Sequence, residues 1–200
     1  MNPRFVFYSL SRIMGILAVG MLPPLFLSYY FGEANHAQFI IPILLLGLIS
    51  LYSFVYNSSN LELTIQESIL IVVSAWIFAS LFGALPFILD HVLPSITDAF
   101  FETISGFTAT GSTVLPDIDS VPRSILFWRS ETHWLGGMGI VVLAIAIFPS
   151  LRNKNTLFSS EAPISINEDR IYPRIATVAL SYWKVYVFFT VVEIVLLLPV

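Results

Sequence analysis

The composition of this chain excludes a soluble globular domain. It has 200 residues, of which 56% are hydrophobic and only 11% are charged, and its mean hydropathy is +0.85. Nine Lys and Arg with thirteen Asp and Glu are too few to cover a core of this size with charge, so lipid is the expected solvent. The formal charge of −4 leaves no basic surface for nucleic acid, and the absence of cysteine excludes disulfides and thiolate metal sites.

Apolar runs long enough to cross a membrane recur along the chain. A helix needs about 20 apolar residues to cross a hydrocarbon core of roughly 30 Å. Transmembrane helices are therefore predicted at 8–31, 38–56, 68–90 and 122–149, with a fifth that begins near 182. Pro23-Pro24 predicts a kink in the first helix. These runs predict an all-α integral membrane protein.

The distribution of Lys and Arg predicts a cytoplasmic N-terminus. With this orientation seven basic residues lie on the inner side: Arg4, Arg12, Arg152, Lys154, Arg170, Arg174 and Lys184. Only Arg123 and Arg129 lie on the outer side. An inner excess of this kind follows the positive-inside rule. The orientation also requires the polar segment 98–121 to return to the side from which it entered.

A short helix is predicted between the third and fourth spans, in DAFFETISGF at 98–107. Ten residues cover about 15 Å, half the hydrocarbon thickness. Thr97 or Asp98 is the predicted N-cap, and Gly106 suits the helix end. The polar stretch TATGSTV follows, and then the turn LPDIDS. A half-length helix and a polar return between two full spans predict a re-entrant pore loop.

The polar return has the chemistry of a cation filter. Irregular backbone at membrane depth survives only where it is buried in protein or lines a wet cavity, and there its carbonyls can replace an ion's hydration shell. Gly111 can adopt a positive φ, which helps to aim those carbonyls. The hydroxyls of Thr108, Thr110 and Ser112 are expected either to hold the strand against its helix or to add oxygen ligands. The alternative is an ordinary Gly/Ser/Thr-rich surface loop.

Residues 100–149, FFETISGFTATGSTVLPDIDSVPRSILFWRSETHWLGGMGIVVLAIAIFP, resemble the first pore repeat of the Trk/Ktr/HKT potassium-uptake superfamily, most closely its TrkH type. The upstream AWIFASLFGALPFIL, 75–89, resembles the first helix of that repeat. The resemblance implies two leading helices at 1–57, a helix–pore-loop–helix repeat at 62–150, and a linker with the start of a second repeat at 151–200.

The resemblance also implies which residues meet the ion. Potassium, the transported ion, would be bound mainly by backbone carbonyls of Thr108, Ala109, Thr110, Gly111 and Ser112. Thr113 and Glu102 would support this filter from behind, and no organic cofactor is expected. From the residues alone, Glu102 would either hydrogen-bond behind the filter or lend negative potential to the vestibule.

Four further residues of the helix after the filter are candidate supporting positions. Gly136, Gly137 and Gly139 would allow that helix either to pack closely on the pore helix or to bend as a gating hinge. Arg129 would belong either to an external salt-bridge network or to a simple interfacial anchor.

The predicted function is potassium uptake through a pore, with no covalent chemistry and hence no enzyme activity. One loop cannot ring an ion, so either four copies assemble or this is the front part of a longer protein, as the resemblance favours. The alternative is a secondary transporter with a broken helix, such as a Na⁺- or H⁺-coupled K⁺ symporter. The resemblance further implies a homodimer in the bacterial cytoplasmic (inner) membrane, paired with a cytosolic nucleotide-binding regulatory subunit of the TrkA/KtrA type.

Overall fold

The computed structural model describes residues 3–55, 65–152 and 171–198, and these are all helix, turn or coil, with no strand. Eight helices lie within them: α1 Pro3–Gly20, α2 Leu22–Tyr30, α3 Ala37–Val55, α4 Ile65–Gly83, α5 Leu85–Leu89, α6 Ile96–Phe107, α7 Arg123–Arg152 and α8 Ile171–Leu197. The predicted all-α fold is confirmed. The chain forms two compact units, Met1–Gly136 and Gly137–Val200, and α7 runs through the boundary between them.

Within the residues that the structure describes, three stretches are long and apolar enough to cross a membrane: Pro3–Tyr30, Ile69–Leu89 and Leu180–Leu197. A shorter apolar helix spans Ala37–Ser53. The chain is therefore an integral membrane protein, as its composition predicts. The linker between α7 and α8, 153–170, lies outside the described residues. Helix α8 begins at Ile171, but its membrane-length apolar stretch begins at Leu180, close to the start predicted near 182.

Two of these stretches are interrupted next to prolines. The first is divided at Met21, directly before the predicted kink at Pro23-Pro24. The second is divided at Ala84, two residues before Pro86. Proline has no N–H to bond the carbonyl four residues earlier, so each interruption follows from the ring chemistry.

The core of the first unit lies where α1, α3, α5, α6 and α7 meet. Its largest fully buried apolar side chains are Trp128, Phe39, Phe87, Met21, Leu46 and Ile125. The Trp128 indole N–H donates to the Gly83 carbonyl at 2.9 Å, at the end of α4. This bond pairs a buried donor with a carbonyl at a helix end and fixes α7 against α4.

The helix that the sequence predicts at 98–107 begins two residues earlier. Ser95 is its N-cap, in an extended conformation, and the Ser95 hydroxyl accepts from the Asp98 N–H at 3.4 Å. The N-cap prediction of Thr97 or Asp98 is therefore wrong, although Asp98 does place a carboxylate in the positive first turn. Twelve residues give α6 a length of about 18 Å.

Candidate functional site

The C-terminal end of α6 leads directly into the predicted filter residues. The helix ends at Phe107, the Ala109 N–H donates to the Gly106 carbonyl at 2.8 Å, and the Thr110 N–H donates to the Ser105 carbonyl at 3.0 Å. This pair of bonds is a Schellman motif, whose residue after the cap must adopt a left-handed conformation. Ala109 takes that place with φ +55°. Helix α6 therefore ends beyond Gly106, the residue at which the sequence predicts its end, and Gly106 lies inside the helix.

The next residue with positive φ is Gly111, at +79°. No heavy atom lies within 4 Å of the position that a Cβ would occupy there. The need for glycine at 111 is thus conformational, because only glycine adopts this region without strain. In the segment 108–112 the left-handed residues 109 and 111 alternate with residues of negative φ. Thr108 and Ala109 form a turn, and residues 110–112 have no regular secondary structure.

Side chains of α6 and the segment itself hold 108–112 in place. The Ser105 hydroxyl donates to the Ser112 carbonyl at 2.7 Å. The Thr108 hydroxyl lies 2.7 Å from the Ile104 carbonyl, to which it can donate, and 2.8 Å from the Thr110 hydroxyl. At Thr108 the hydroxyl therefore bonds back to the helix, one of the two roles that the sequence leaves open.

A buried carboxylate continues this support to residues 113 and 114, just after the segment. Glu102 is fully buried, and its oxygens accept from the Thr113 hydroxyl at 3.0 and 3.1 Å and from the Val114 N–H at 2.9 Å. The Arg129 guanidinium of α7 donates to Glu102 and pairs with its charge. A buried charge is stable only when it is paired and hydrogen-bonded in this way. Arg129 thus points inward to Glu102, unlike an interfacial anchor.

Two glycines let α7 approach α6 at this point. A Cβ on Gly136 would overlap the carbonyl oxygens of Phe107 and Gly106, the latter at 2.6 Å. A Cβ on Gly106 would overlap the Thr132 hydroxyl and lie 2.9 Å from its Cβ. Gly136 therefore packs against the end of α6, which is one of the two roles predicted for the glycine cluster.

The other two glycines of the cluster lie beyond the boundary, in the second unit. A Cβ on Gly137 would lie 2.7 Å from the Tyr186 hydroxyl of α8, so close packing operates there too. Gly139 lies within α7. The hinge role of these glycines remains a prediction.

Acidic residues lie on the turns on either side of α6 and the segment 108–112. A cavity of about 400 Å³ is lined by residues 90–92, 115–117 and 120–122, including Asp90 and Asp117. Burial raises the pKa of Asp90, and the neighbouring Glu33 raises it further, whereas Asn35 and His91 lower it. The carboxylate of Asp90 is thus partly desolvated and close to a like charge.

Comparison with known proteins identifies the family. Residues 33–200 match the family described as TrkH, cation transport protein. This chain belongs to the TrkH family. It is 34% identical over 194 residues to the Trk system potassium uptake protein TrkH of Halomonas elongata, covering 96% of this chain. It is 38% identical over 192 residues to the protein of the same name in Escherichia coli, covering 92% of this chain. The Trk system potassium uptake protein TrkG of E. coli is 31% identical over 186 residues.

This TrkH-family chain spans about 40% of the length of the curated relatives it matches. Its candidate site contains interactions that sequence reasoning misses. Nothing in the sequence predicts the hydrogen bond that the Ser105 hydroxyl donates to the Ser112 carbonyl. Glu33 and Gln38 are not singled out either, although both contact Ser124 at the start of α7. The one signal for Gln38 is a polar amide at the start of an apolar run.

Proposed function

We propose that this chain contributes one pore loop to a potassium-uptake protein and that residues 108–112 form its part of the filter. The observation that carries the proposal is the alternation of left-handed residues at Ala109 and Gly111, in a segment held from behind by Ser105 and Glu102. The relatives named as potassium uptake proteins indicate the ion.

The alternation matters because of where carbonyls point. In a regular extended strand successive residues face opposite sides, so only every second carbonyl could meet an ion on one side. A positive φ at every second residue reverses the intervening peptide groups and brings successive carbonyls toward one side. Such a row can replace the hydration shell of K⁺. Ala109 and Gly111 supply that pattern, and Gly111 does so without strain.

The hydroxyl and carboxylate contacts explain how the row would keep its spacing. Carbonyls that bind a cation repel one another when the ion leaves, so the backbone needs bonds on its other side. Ser105 is bonded to the Ser112 carbonyl, and Glu102 bonds the Thr113 hydroxyl and the Val114 N–H. The C-terminal end of α6 adds a partial negative charge that favours a cation nearby.

The membrane arrangement follows from the same proposal. In it, α6 and 108–115 form a re-entrant loop between α4–α5 and α7, and the N-terminus is on the inner side of a bacterial cytoplasmic membrane. Residues 1–57 form the leading helix pair, 62–150 the first repeat, and 151–200 the linker and the start of the next repeat. Support comes from three membrane-length apolar stretches and from the excess of Lys and Arg on the predicted inner side.

The partners are proposed on the resemblance to the TrkH type. The gene product that contains this sequence is expected to form a homodimer and to bind a cytosolic nucleotide-binding regulatory subunit. The inner segment 151–174 is the candidate docking surface because it is polar and lies on the predicted inner side. Deleting part of it without a change in regulator binding would refute that role.

The deciding experiment is growth rescue of a potassium-uptake-deficient bacterial strain at low external K⁺ by the gene product, with and without Gly111→Asp. Wild type is expected to rescue and the variant to fail, since Asp places strain and a charge in the filter. Gly32→Asp is the matched control, because Gly32 also has positive φ (+64°) and no atom within 4 Å of a Cβ. Both variants must be present in the membrane at wild-type amounts. Equal rescue by wild type and Gly111→Asp would refute the filter.

A further inference from the structure

Residues 33–38, which comprise the connection from α2 and the first two residues of α3, contact the start of α7. Ser124 is the second residue of α7, and its N–H donates to a Glu33 carboxylate oxygen at 2.9 Å. The Ser124 hydroxyl donates to the other oxygen of the same carboxylate. Glu33 thus caps a helix that begins 90 residues later in the chain, and its negative charge lies at the positive end of that helix.

The same segment, which we call the strap, makes two more contacts to helix ends. Gln38, fully buried in α3, donates from its side-chain amide to the Ser124 hydroxyl at 3.2 Å. Asn35 donates to the Leu89 carbonyl at 3.0 Å, at the last residue of α5, and its side-chain oxygen accepts from the Ala37 N–H at 3.2 Å. The strap is therefore bonded to the end of α5 and to the start of α7.

These two helix ends bracket the segment 90–122, which contains α6 and residues 108–112. From Ser124 the path continues along α7 to Arg129, which pairs with Glu102 and so with Thr113 and Val114. A shift of the α7 start would move Arg129 with it, because a helix behaves as a rigid element over five residues. Glu33 is therefore connected through Ser124, α7 and Arg129 to the Glu102 carboxylate that bonds Thr113 and Val114.

We propose that Glu33 is a positioning residue for ion selectivity, acting from the leading helix pair through Ser124 and α7 on the filter. This inference rests on the proposed function of 108–112. A carboxylate is needed because it must accept from both the N–H and the hydroxyl of the buried Ser124 at once. Gln in its place would keep one acceptor oxygen and turn an NH2 donor toward the other Ser124 donor, so the two bonds could not form as they do to Glu33.

The test measures relative uptake of K⁺, Rb⁺ and Na⁺ by the gene product in proteoliposomes, for wild type and for Glu33→Gln, Glu33→Ala and Ser124→Ala. Glu33→Gln and Glu33→Ala are expected to lower the K⁺/Na⁺ ratio by at least about threefold, about 0.7 kcal/mol. Ser124→Ala keeps the backbone N–H and is expected to lower the ratio less. Combining Glu33→Ala with Ser124→Ala is expected to lower it no further than Glu33→Ala alone.

The matched control is Asp117→Asn, which removes another carboxylate from the outer turns, one bonded only locally to the Asp119 N–H at 3.1 Å. It is expected to change the rate at low salt without changing the K⁺/Na⁺ ratio, because a lost surface charge weakens attraction of all cations alike.

Outcomes separate the inference from the proposed function. If wild type takes up no K⁺ or does not prefer it, the proposed function fails and the positioning role fails with it. If wild type is selective and Glu33→Gln keeps its ratio, the positioning role alone is overturned. The positioning role is also overturned if Asp117→Asn and Glu33→Gln alter the ratio equally. Should Glu33→Ala not insert stably, Glu33→Gln and Ser124→Ala decide the question by the same criteria.

Discussion

At the scale of single residues, Glu102 concentrates more interactions than any other described side chain near 108–113. Its two oxygens accept from a hydroxyl, a backbone N–H and the Arg129 guanidinium, and its side chain is fully buried. Such a group is costly to change because each donor left behind loses its partner while buried. Glu102 therefore links the stability of α6 and α7 to the geometry of the outer end of the proposed filter.

We predict that Glu102→Gln lowers the free energy of unfolding by about 2–3 kcal/mol, because it breaks the ion pair and leaves one donor unsatisfied. Thermal unfolding of the purified gene product in detergent measures this effect. Arg123→Gln is the control, since Arg123 is an exposed cation at the start of α7, the helix that carries Arg129, and its change should stay within about 0.5 kcal/mol. Equal melting temperatures for the two variants would contradict the buried network.

Asp90 gives a pH-dependent prediction. Its pKa is raised in the folded chain mainly by burial and next by Glu33. A carboxyl group with a raised pKa is harder to ionise in the folded chain than in the unfolded chain. Its contribution to stability therefore becomes unfavourable as the pH rises through the raised pKa. Below the ordinary carboxyl pKa the group is protonated in both states and contributes nothing to the pH dependence. Asp90→Asn is therefore expected to raise the melting temperature at neutral pH.

The stabilisation by Asp90→Asn should shrink as the pH is lowered toward the carboxyl range, and a series of thermal melts over pH measures it. Asp119→Asn, at an exposed position of the outer turn, controls for the simple loss of a surface carboxylate. A stabilisation that grows on acidification would show that the sign is wrong.

At the scale of elements, much of the first unit follows from local sequence patterns. Apolar runs predict the long helices, Pro23-Pro24 predicts the break beside Met21, and the spacing of apolar residues predicts α6. The N-cap of α6 escapes prediction because Ser95 and Thr97 carry equally suitable hydroxyls, and sequence alone does not choose between them.

Glycine illustrates what local patterns cannot give. Gly106 is expected to end α6 because glycine is common after helices, but the left-handed residue there is Ala109, and Gly106 makes room for Thr132. The two uses of glycine look identical in sequence because the neighbour that requires the space lies 26 residues away. Local patterns cannot predict the hydrogen bond between Glu33 and Ser124 for the same reason, because these residues lie 91 positions apart.

The contact between α6 and α7 yields a prediction at this scale. Gly136→Ala is expected to impair both folding and uptake more than Gly106→Ala does. A Cβ at 136 would meet backbone carbonyls, which cannot rotate away, whereas at 106 it meets the Thr132 side chain. Gly47→Ala is the control within a helix, because nothing lies within 4 Å of its Cβ position. Melting temperature and the amount of protein in the membrane measure the order.

Thr132→Gly should restore Gly106→Ala but not Gly136→Ala, because it removes only the side chain that a Cβ at 106 would overlap. If Thr132→Gly rescues both variants, or neither, the close approach of α6 and α7 does not depend on these glycines in the way described.

At the scale of the whole molecule, the proposed function limits what residues 1–200 can do, because it gives them a single pore loop. The chain holds one T-x-T-G stretch, at 108–111. A filter surrounds its ion with carbonyls from four loops, so one loop offers about a quarter of the oxygens at each level. The first unit nevertheless has its own buried core, and α6 ends in a complete Schellman motif. The loop is thus formed locally, whereas the ring of loops is not.

We therefore predict that residues 1–200, reconstituted alone, give no K⁺ flux into liposomes, whereas the gene product that contains them does. The mass of the reconstituted particle is measured alongside the flux, because four assembled copies could also complete a ring. If residues 1–200 form a tetramer that conducts K⁺, and Gly111→Asp abolishes this flux, the proposed filter stands. The pore is then assembled from four chains and not formed by one. Flux from a monomer would contradict the ring of four loops, because a single loop leaves most of the hydration shell of K⁺ unreplaced.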